Sequence, residues 1–253
     1  MSTIALTGGA TGIGRAIRDS LSNAGHNLIV IDLKDADIEA DLSSSEGRKA
    51  AVDGVKAKAP EGLDALITCA GVGSHIPDGA LIASVNYYGS VQLVEGLKSS
   101  LEQRGGSVIM ISSNSAPQCQ SAELIEAFLE GDEEKARQIA GTVRGHDVYS
   151  GSKQAVARWL RRHAPAYAAD GVRMNAVAPG YIETPMTAVV ADNPEYGDSI
   201  RAFKASIPVG RPGTPEDIAH VVDFLLSPQA GFICGSVIFA DGGHDASFRP
   251  DTI

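Results

Sequence analysis

The strongest constraint on the fold lies near the start of the chain, in TIALTGGATGIGRAIRDSLSNAG, residues 3–25. An apolar run ends at Gly8 and Gly9, and apolar residues then recur at Ile13, Ile17 and Leu21 before Gly25. That change of period reads as strand, tight turn, helix and stop. HNLIVIDL (26–33), LDALITCAG (63–71), GSVIMISS (106–113), GVRMNAVAPG (171–180) and GSVIFADGG (235–243) repeat the strand pattern, with helical segments between them. Apolar strands alternating with helices specify a mostly parallel sheet covered on both faces, because each strand is buried on two sides. One connection stands apart. Only LKDAD separates Asp32 from the next strand candidate, IEAD, where a parallel crossover ordinarily takes about a dozen residues. The covering helix is expected to be missing there.

This pattern makes residues 1–253 a single α/β domain, a doubly wound Rossmann fold with ligands expected at the carboxyl ends of the strands. With 43% apolar residues there is ample material for a core. No run approaches a membrane span, and the N-terminus lacks the basic start and long apolar region of a signal peptide. Cys69, Cys119 and Cys234 are widely separated and lack metal-ligand spacing, so reduced thiols, a cytoplasmic location and no metal are expected. A formal charge of −10 argues against a nucleic-acid partner, and Arg158, Arg161 and Arg162 are expected to form a solvated helix face. His75, His146 and His244 show no ligand spacing and are expected at the surface.

TGGATGIG, residues 7–14, lies between the first strand and its helix, where glycines let backbone amides approach a pyrophosphate that also faces the helix N-terminus. Asp32 ends the second strand eighteen residues after Gly14. A carboxylate there accepts hydrogen bonds from an adenosine ribose and repels a 2′-phosphate. Thr11 precedes Gly12 and Leu33 follows Asp32, so no cation is placed to favour NADP, and NAD is the expected cofactor. Arg15 and Lys34 oppose that preference slightly.

DVYSGSKQAV, residues 147–156, puts Lys153 four residues after Tyr149, on one helical face. A cation there favours phenolate over phenol. Bringing a tyrosine from its ordinary pKa near 10 to neutrality requires roughly 4 kcal/mol, more than one exposed lysine supplies. A second cation or a desolvated pocket is expected to help. The use of such a pair is proton transfer to and from a carbonyl or alcohol oxygen. Pro165 falls inside the helix expected from Tyr149 to about Tyr167 and should kink it or end it early.

Taken in order, these markers resemble those of the short-chain dehydrogenase/reductase family over nearly the whole chain. TGGATGIG, with Gly8, Thr11, Gly12, Ile13 and Gly14, resembles its glycine motif, and Asp41-Leu42 the pair beside the adenine. CAG at 69–71, with Ala70 and Gly71, stands where the family has NAG. Asn86 in SVNYYGS, Ser113 in MISS, and Tyr149 and Lys153 in YSGSK match its catalytic set. PGYIET, with Pro179, Gly180, Ile182 and Thr184, resembles the segment holding the nicotinamide, and GRPGTPEDIA and DGG complete the series. The resemblance implies that Tyr149 exchanges the substrate proton. Lys153 would hold the ribose hydroxyls and depress the phenol pKa, with the oxidised nicotinamide as the second cation. It further implies that Ser113 hydrogen-bonds the reacting oxygen, that Asn86 supports a water near Lys153, and that Thr184 and the Ile182 backbone fix the carboxamide. Alternatives stay open: Ser112 in place of Ser113, since strand neighbours face opposite ways, Asn86 as a helix-interior hydrogen bonder, and Thr184 as an N-cap. Cys69 is expected to be a small buried residue that weakens a local backbone-fixing bond.

The interval from Ser113 to Tyr149 is thirty-six positions, against roughly a dozen in the family. The segment 117–144 has helical patterning: Leu124, Ile125, Phe128 and Leu129 form one apolar patch, Gly131-Asp132 reads as stop and N-cap, and Ile139 with Val143 forms another. This insertion, the shortened IDLKDADIEADLS region and YSGSK resemble family members that oxidise the 3α-hydroxyl of steroids reversibly with NAD and reduce nonsteroidal aldehydes and ketones. Residues 185–210 are the expected substrate-binding segment, with Met186, Val189, Val190, Phe203 and Ile207 offering apolar surface to a small hydrophobic alcohol or ketone. Related enzymes commonly form tetramers by pairing the Tyr-Lys helix. An insertion beside that helix would block the pairing and leave a homodimer, with a substrate lid as the alternative role. The competing functions are a reductase of another ketone, such as a 3-oxoacyl thioester, and a nucleotide sensor without chemistry.

Overall fold

The computed structural model describes residues 1–191 and 197–252, with side chains given outside 190–199. Seven strands form one parallel sheet: β1 (Thr3–Thr7), β2 (Asn27–Asp32), β3 (Ile38–Glu39), β4 (Ala65–Thr68), β5 (Ser107–Ile111), β6 (Arg173–Pro179) and β7 (Val237–Ala240). Their order across the sheet is β3-β2-β1-β4-β5-β6-β7. The helices are α1 (Gly12–Asn23), α2 (Ser45–Lys58), α3 (Gly79–Ala83), α4 (Gly89–Gly96), α5 (Lys98–Glu102), α6 (Ala122–Glu130), α7 (Glu133–Ala140), α8 (Gly145–Ala169), α9 (Pro185–Ala191), α10 (Gly197–Ala205), α11 (Pro215–Leu226) and α12 (His244–Phe248). A π-helical turn, Ser84–Tyr88, joins α3 to α4.

The two-residue period of the strands divides the interior into two cores. Ala5, Leu66, Val108 and Met110 point to one face, where α2, α4 and α8 bring Val55, Leu93, Val156 and Leu160. Ile4, Leu6, Ile67 and Ile109 point to the other, where α1 and α11 bring Ile17, Leu21, Ile218 and Val222. The β2–β3 connection has no helix: β3 pairs in parallel with Ile31 and Asp32 after residues 33–37 alone. Asp37 fills the vacated edge, its carboxylate accepting the Val30 N–H at 2.9 Å.

Two expectations are corrected. Of a kink or an early end at Pro165, the early end does not occur, because α8 runs on to Ala169. Pro165 faces solvent, where water can reach the carbonyl it leaves unpaired, while Ala164 and Tyr167 are buried and hold the last turn to the core. His244 is not a surface residue. It is buried between Phe203 and Phe248, at ring distances of 4.5 and 4.9 Å, and its Nε2 shares a hydrogen bond with Ser206 Oγ at 2.8 Å.

Candidate active site

The strand order reverses at β1, with β2 on one side and β4 on the other, which opens a crevice at their carboxyl ends. A cleft of about 430 Å³ occupies it. Gly8, Thr11, Gly12, Ile13 and Gly14 form its middle, Ala70 and Gly71 its floor. Asp32, Asp41 and Leu42 line one end together with Leu33, Ala40 and Ser43. Ser113, Tyr149 and Lys153 line the other, with Pro179, Gly180, Ile182 and Thr184 beside them. Asn86 does not line the cleft and is fully buried.

Two glycines show what the turn requires. Gly8 has φ 75°, and a Cβ on it would lie 2.7 Å from the Ala70 Cα, so only glycine lets β1 and the β4 end approach this closely. Gly12 has φ 54°, and a Cβ there would meet only Thr184, at 3.4 Å. Asp32 fastens the same turn: its Oδ2 accepts the Ala10 N–H at 3.0 Å and its Oδ1 the Leu33 N–H at 2.8 Å.

Thr7, which the motif reading passed over, holds the end of β4. Its Oγ1 accepts the N–H groups of Cys69 and Ala70, both at 3.0 Å. The backbone-fixing bond expected to suffer from Cys69 is therefore made from the neighbouring strand. Cys69 itself is half-buried and lines the cleft, and desolvation pushes its thiol pKa up to about 12, with the Asp32 charge adding to the rise against the opposing pull of Lys153.

The end of β5 positions α8. Ser112 Oγ donates to the Lys153 carbonyl at 2.8 Å, and Lys153 Nζ donates to the Ile111 carbonyl at 2.9 Å. Ser112 is thereby engaged with the helix backbone, and Ser113 meets the Tyr149 phenol. Ser113 Oγ also accepts the Ser115 N–H at 3.2 Å and shares a hydrogen bond with Ser115 Oγ at 3.0 Å. Ser115 fixes where the Ser113 hydroxyl points, a role visible only once the chain turns after β5. Burial pushes the Tyr149 pKa up against the Ser113 hydrogen bond, and pulls Lys153 down to about 8. The expectation that a desolvated pocket favours the phenolate is thus reversed: low dielectric penalises whichever form is charged.

Asn86 sits in the π-helical turn and clamps backbone. Its Oδ1 accepts the Val72 N–H at 2.8 Å, and its Nδ2 donates to the Val72 carbonyl at 3.1 Å and to Ser152 Oγ at 3.4 Å. A Cβ on Gly71 would lie 3.2 Å from Asn86 Oδ1 and 3.5 Å from Lys153 Nζ, so these side chains meet at Gly71. Thr184 both lines the cleft and accepts the Thr187 N–H at 3.3 Å, at the start of α9.

Of the expected apolar surface, Met186 lines the cleft and Val189 is exposed. Phe203 turns to His244 and Tyr181, and Ile207 is buried against Gly242. They brace the segment against the C-terminal turn, and the Val190 side chain lies outside the described residues. The patches of 117–144 are buried on their own subunit. Leu124, Ile125 and Phe128 reach the core, Phe128 at 4.8 Å from the Tyr87 ring, and Leu129, Ile139 and Val143 pack against it. Gly131 ends α6 with φ 77°, and the Asp132 side chain caps α7 at the Lys135 N–H. Among the described residues no group of His, Cys, Asp and Glu forms a metal site, and no helix is long and apolar enough to cross a membrane.

A nucleotide-binding crevice with a Ser-Tyr-Lys group at one end defines an oxidoreductase of the doubly wound type, and the chain belongs to the short-chain dehydrogenase/reductase family. The family model described as short chain dehydrogenase matches residues 2–123, and that described as enoyl-(acyl carrier protein) reductase matches 137–245. The stretch between the two matches falls within α6 and α7. The chain is 41% identical to the 3-alpha-hydroxysteroid dehydrogenase/carbonyl reductase of Comamonas testosteroni, over 99% of each chain. It is 30% identical to the 3-oxoacyl-[acyl-carrier-protein] reductase FabG of Aquifex aeolicus, over 94% of this chain and 95% of that one. Its structure superposes on the crystal structure of the 3-alpha-hydroxysteroid dehydrogenase from Pseudomonas sp. B-0831 complexed with NADH, with a TM-score of 0.95, 43% identity and full coverage of both chains.

Proposed function

We propose that this chain is an NAD-dependent dehydrogenase that reversibly oxidises a secondary alcohol, the 3α-hydroxyl of a steroid, and reduces nonsteroidal aldehydes and ketones. The observation that carries the reading is one cleft with Asp32 at one end and the Ser113-Tyr149-Lys153 group at the other, in a chain similar over its whole length to two 3α-hydroxysteroid dehydrogenases.

The residues present fit the cofactor. Gly12 leaves open the space above the turn that a side chain would fill, and Asp32 offers carboxylate lone pairs at the adenosine end. Thr184 and Ile182 stand beside the reacting end for the carboxamide. A nicotinamide bound there would supply hydride transfer from the alcohol carbon, or back to the carbonyl carbon. Tyr149 takes the alcohol proton at its phenolic oxygen in oxidation and gives it back in reduction. Ser113, oriented by Ser115, donates a hydrogen bond to the reacting oxygen. Lys153, held at the Ile111 carbonyl, supplies the cation near Tyr149 and the donors for ribose hydroxyls. Asn86 fixes the backbone around Gly71 and Val72 beside that ammonium. Met186 and Val72 give the substrate end an apolar wall suited to a steroid. Three unpaired cysteines suit a cytoplasmic enzyme, and α6, packed against α8 with α7 packed on α6, suits a homodimer.

The test is turnover with a panel of 3α- and 3β-hydroxysteroids, simple ketones and a 3-oxoacyl thioester, each with NAD(H) and NADP(H). Preference for the 3α-hydroxysteroid with NAD is expected. A 3-oxoacyl thioester reduced best with NADPH would overturn the reading, and NADH binding without turnover would favour a sensor. In Asp32→Ala, kcat/KM for NAD falls relative to NADP, because ribose acceptors and repulsion of a 2′-phosphate go together.

A further inference from the structure

We infer that the inserted helix α7 forms part of the cofactor site: Glu133, through Arg48, positions the wall against which the adenosine half of the cofactor rests. The inference rests on the dinucleotide reading of the cleft and deepens it.

Arg48 is an unusual residue to find on α2, because its side chain is 3% exposed. A buried guanidinium is tolerated only where its donors meet matched acceptors. Here Nε donates to Gln92 Oε1 at 2.8 Å, Nη1 to the Leu42 carbonyl at 3.1 Å and Nη2 to Glu133 Oε2 at 2.6 Å. Glu133 is the one anion among these three acceptors, and it comes from the first turn of α7. Its other oxygen accepts from Ser84 Oγ at 3.3 Å, where Arg137 also donates. The insertion thus delivers a carboxylate to a cation that would otherwise be buried against neutral partners.

The Leu42 carbonyl gives this network its consequence. Leu42 lines the cleft at the end marked by Asp32, opposite to Tyr149, and its carbonyl is what Arg48 grips. The first turn of α2 and the junction of the π-helical turn with α4 press the same turn. A Cβ on Gly47 would lie 1.9 Å from the Asp41 carbonyl oxygen, and one on Gly89 would lie 3.2 Å from the Leu42 Cβ. The Asp41-Leu42 turn is therefore set by α2, α4 and, through Arg48, α7. The reacting end has holds of its own that Glu133 does not touch, Ser112 Oγ to the Lys153 carbonyl and Lys153 Nζ to the Ile111 carbonyl. Loosening Glu133 should accordingly change the adenosine end and spare the nicotinamide end. Glu133 and Arg48 are positioning residues.

The experiment measures dissociation constants by calorimetry for NADH, AMP and reduced nicotinamide mononucleotide. The proteins are the full-length wild type, Glu133→Gln, and the double variant Arg48→Met/Glu133→Leu. The double variant replaces the ion pair with apolar groups of similar size and so guards against loss of folding from an unpaired buried charge. Loss of a charge-assisted bond corresponds to about tenfold in an equilibrium constant. AMP and NADH should weaken by that common factor in both variants, with the mononucleotide constant unmoved. A double variant with wild-type melting temperature and wild-type AMP affinity would overturn the inference, as would equal weakening of AMP and the mononucleotide. Wild-type protein that bound no NADH would instead overturn the dinucleotide reading on which the inference stands.

Discussion

Burial alone would make Tyr149 a weaker acid, so the proposed role in proton exchange requires charge and hydrogen bonding to offset it. Removing the phenol oxygen in Tyr149→Phe should leave NADH affinity in place and lower kcat by roughly 10²–10⁴, the usual worth of general acid–base catalysis. Near-normal kcat in that variant would displace Tyr149 from the mechanism. Lys153 makes a separate prediction about stability. Its pKa falls to about 8 in the folded chain through desolvation, below the ordinary lysine value near 10.4. Between those values the unfolded chain binds more protons, so this group makes stability rise with pH from about 8 to about 10.4; below that window its cost is constant. In Lys153→Met the contribution vanishes. Urea midpoints of the cofactor-free proteins at the two ends of the window should therefore rise more in the wild type than in the variant, and an equal change would refute the assignment. Residues of this kind differ in how legible they are. Tyr149 and Lys153 could be proposed from their spacing only together with the other markers in the chain, whereas Thr7 and Ser115 act through hydroxyl bonds to backbone or to a neighbour, which no spacing rule encodes.

Secondary structure was legible wherever period and punctuation agreed. The apolar runs give the six long strands, Gly131 and Asp132 give the break between α6 and α7, and the short LKDAD stretch gives the helix-free step from β2 to β3. Pro165 misleads because a local rule meets a stronger tertiary one. The cost of a helical proline falls on an exposed face of α8, while Trp159, Ala164 and Tyr167 are buried on the other side. Proline in a helix interior costs up to about 3 kcal/mol relative to alanine, partly offset by its restriction of the unfolded chain. Pro165→Ala should therefore raise the melting temperature, with kcat unchanged because Pro165 is remote in sequence from the Tyr149 end of α8. A lowered melting temperature would show that the proline fits the helix without strain. The histidine reading failed for a similar reason. His244 follows two glycines and looks solvated by position, yet the aromatic rings of Phe203 and Phe248 enclose it.

On the scale of the molecule, the insertion is packed against its own subunit by Phe128, Ile125 and the Arg48–Glu133 pair. With α6 covering part of α8 and α7 packed on α6, light scattering should give a mass twice that of the 26.2 kDa chain. A mass of four chains would show that the insertion leaves the Tyr-Lys helix free to pair.

The contact between α1 and α11 has a consequence for biosynthesis. Ser20 Oγ donates to Asp223 Oδ2 at 2.6 Å across a separation of 203 residues, and Ile17 and Leu21 share a core with Ile218 and Val222. A ribosome thus releases β1 and α1 long before the helix that seals them exists. Their apolar face must wait through most of translation, and closing so long a loop is the slow, aggregation-exposed step of a nonlocal fold. We expect nascent chains stalled before residue 215 to remain sensitive to protease within α1. Resistance should appear only once α11 has left the exit tunnel, and early resistance would mean that the N-terminal half closes its core without it.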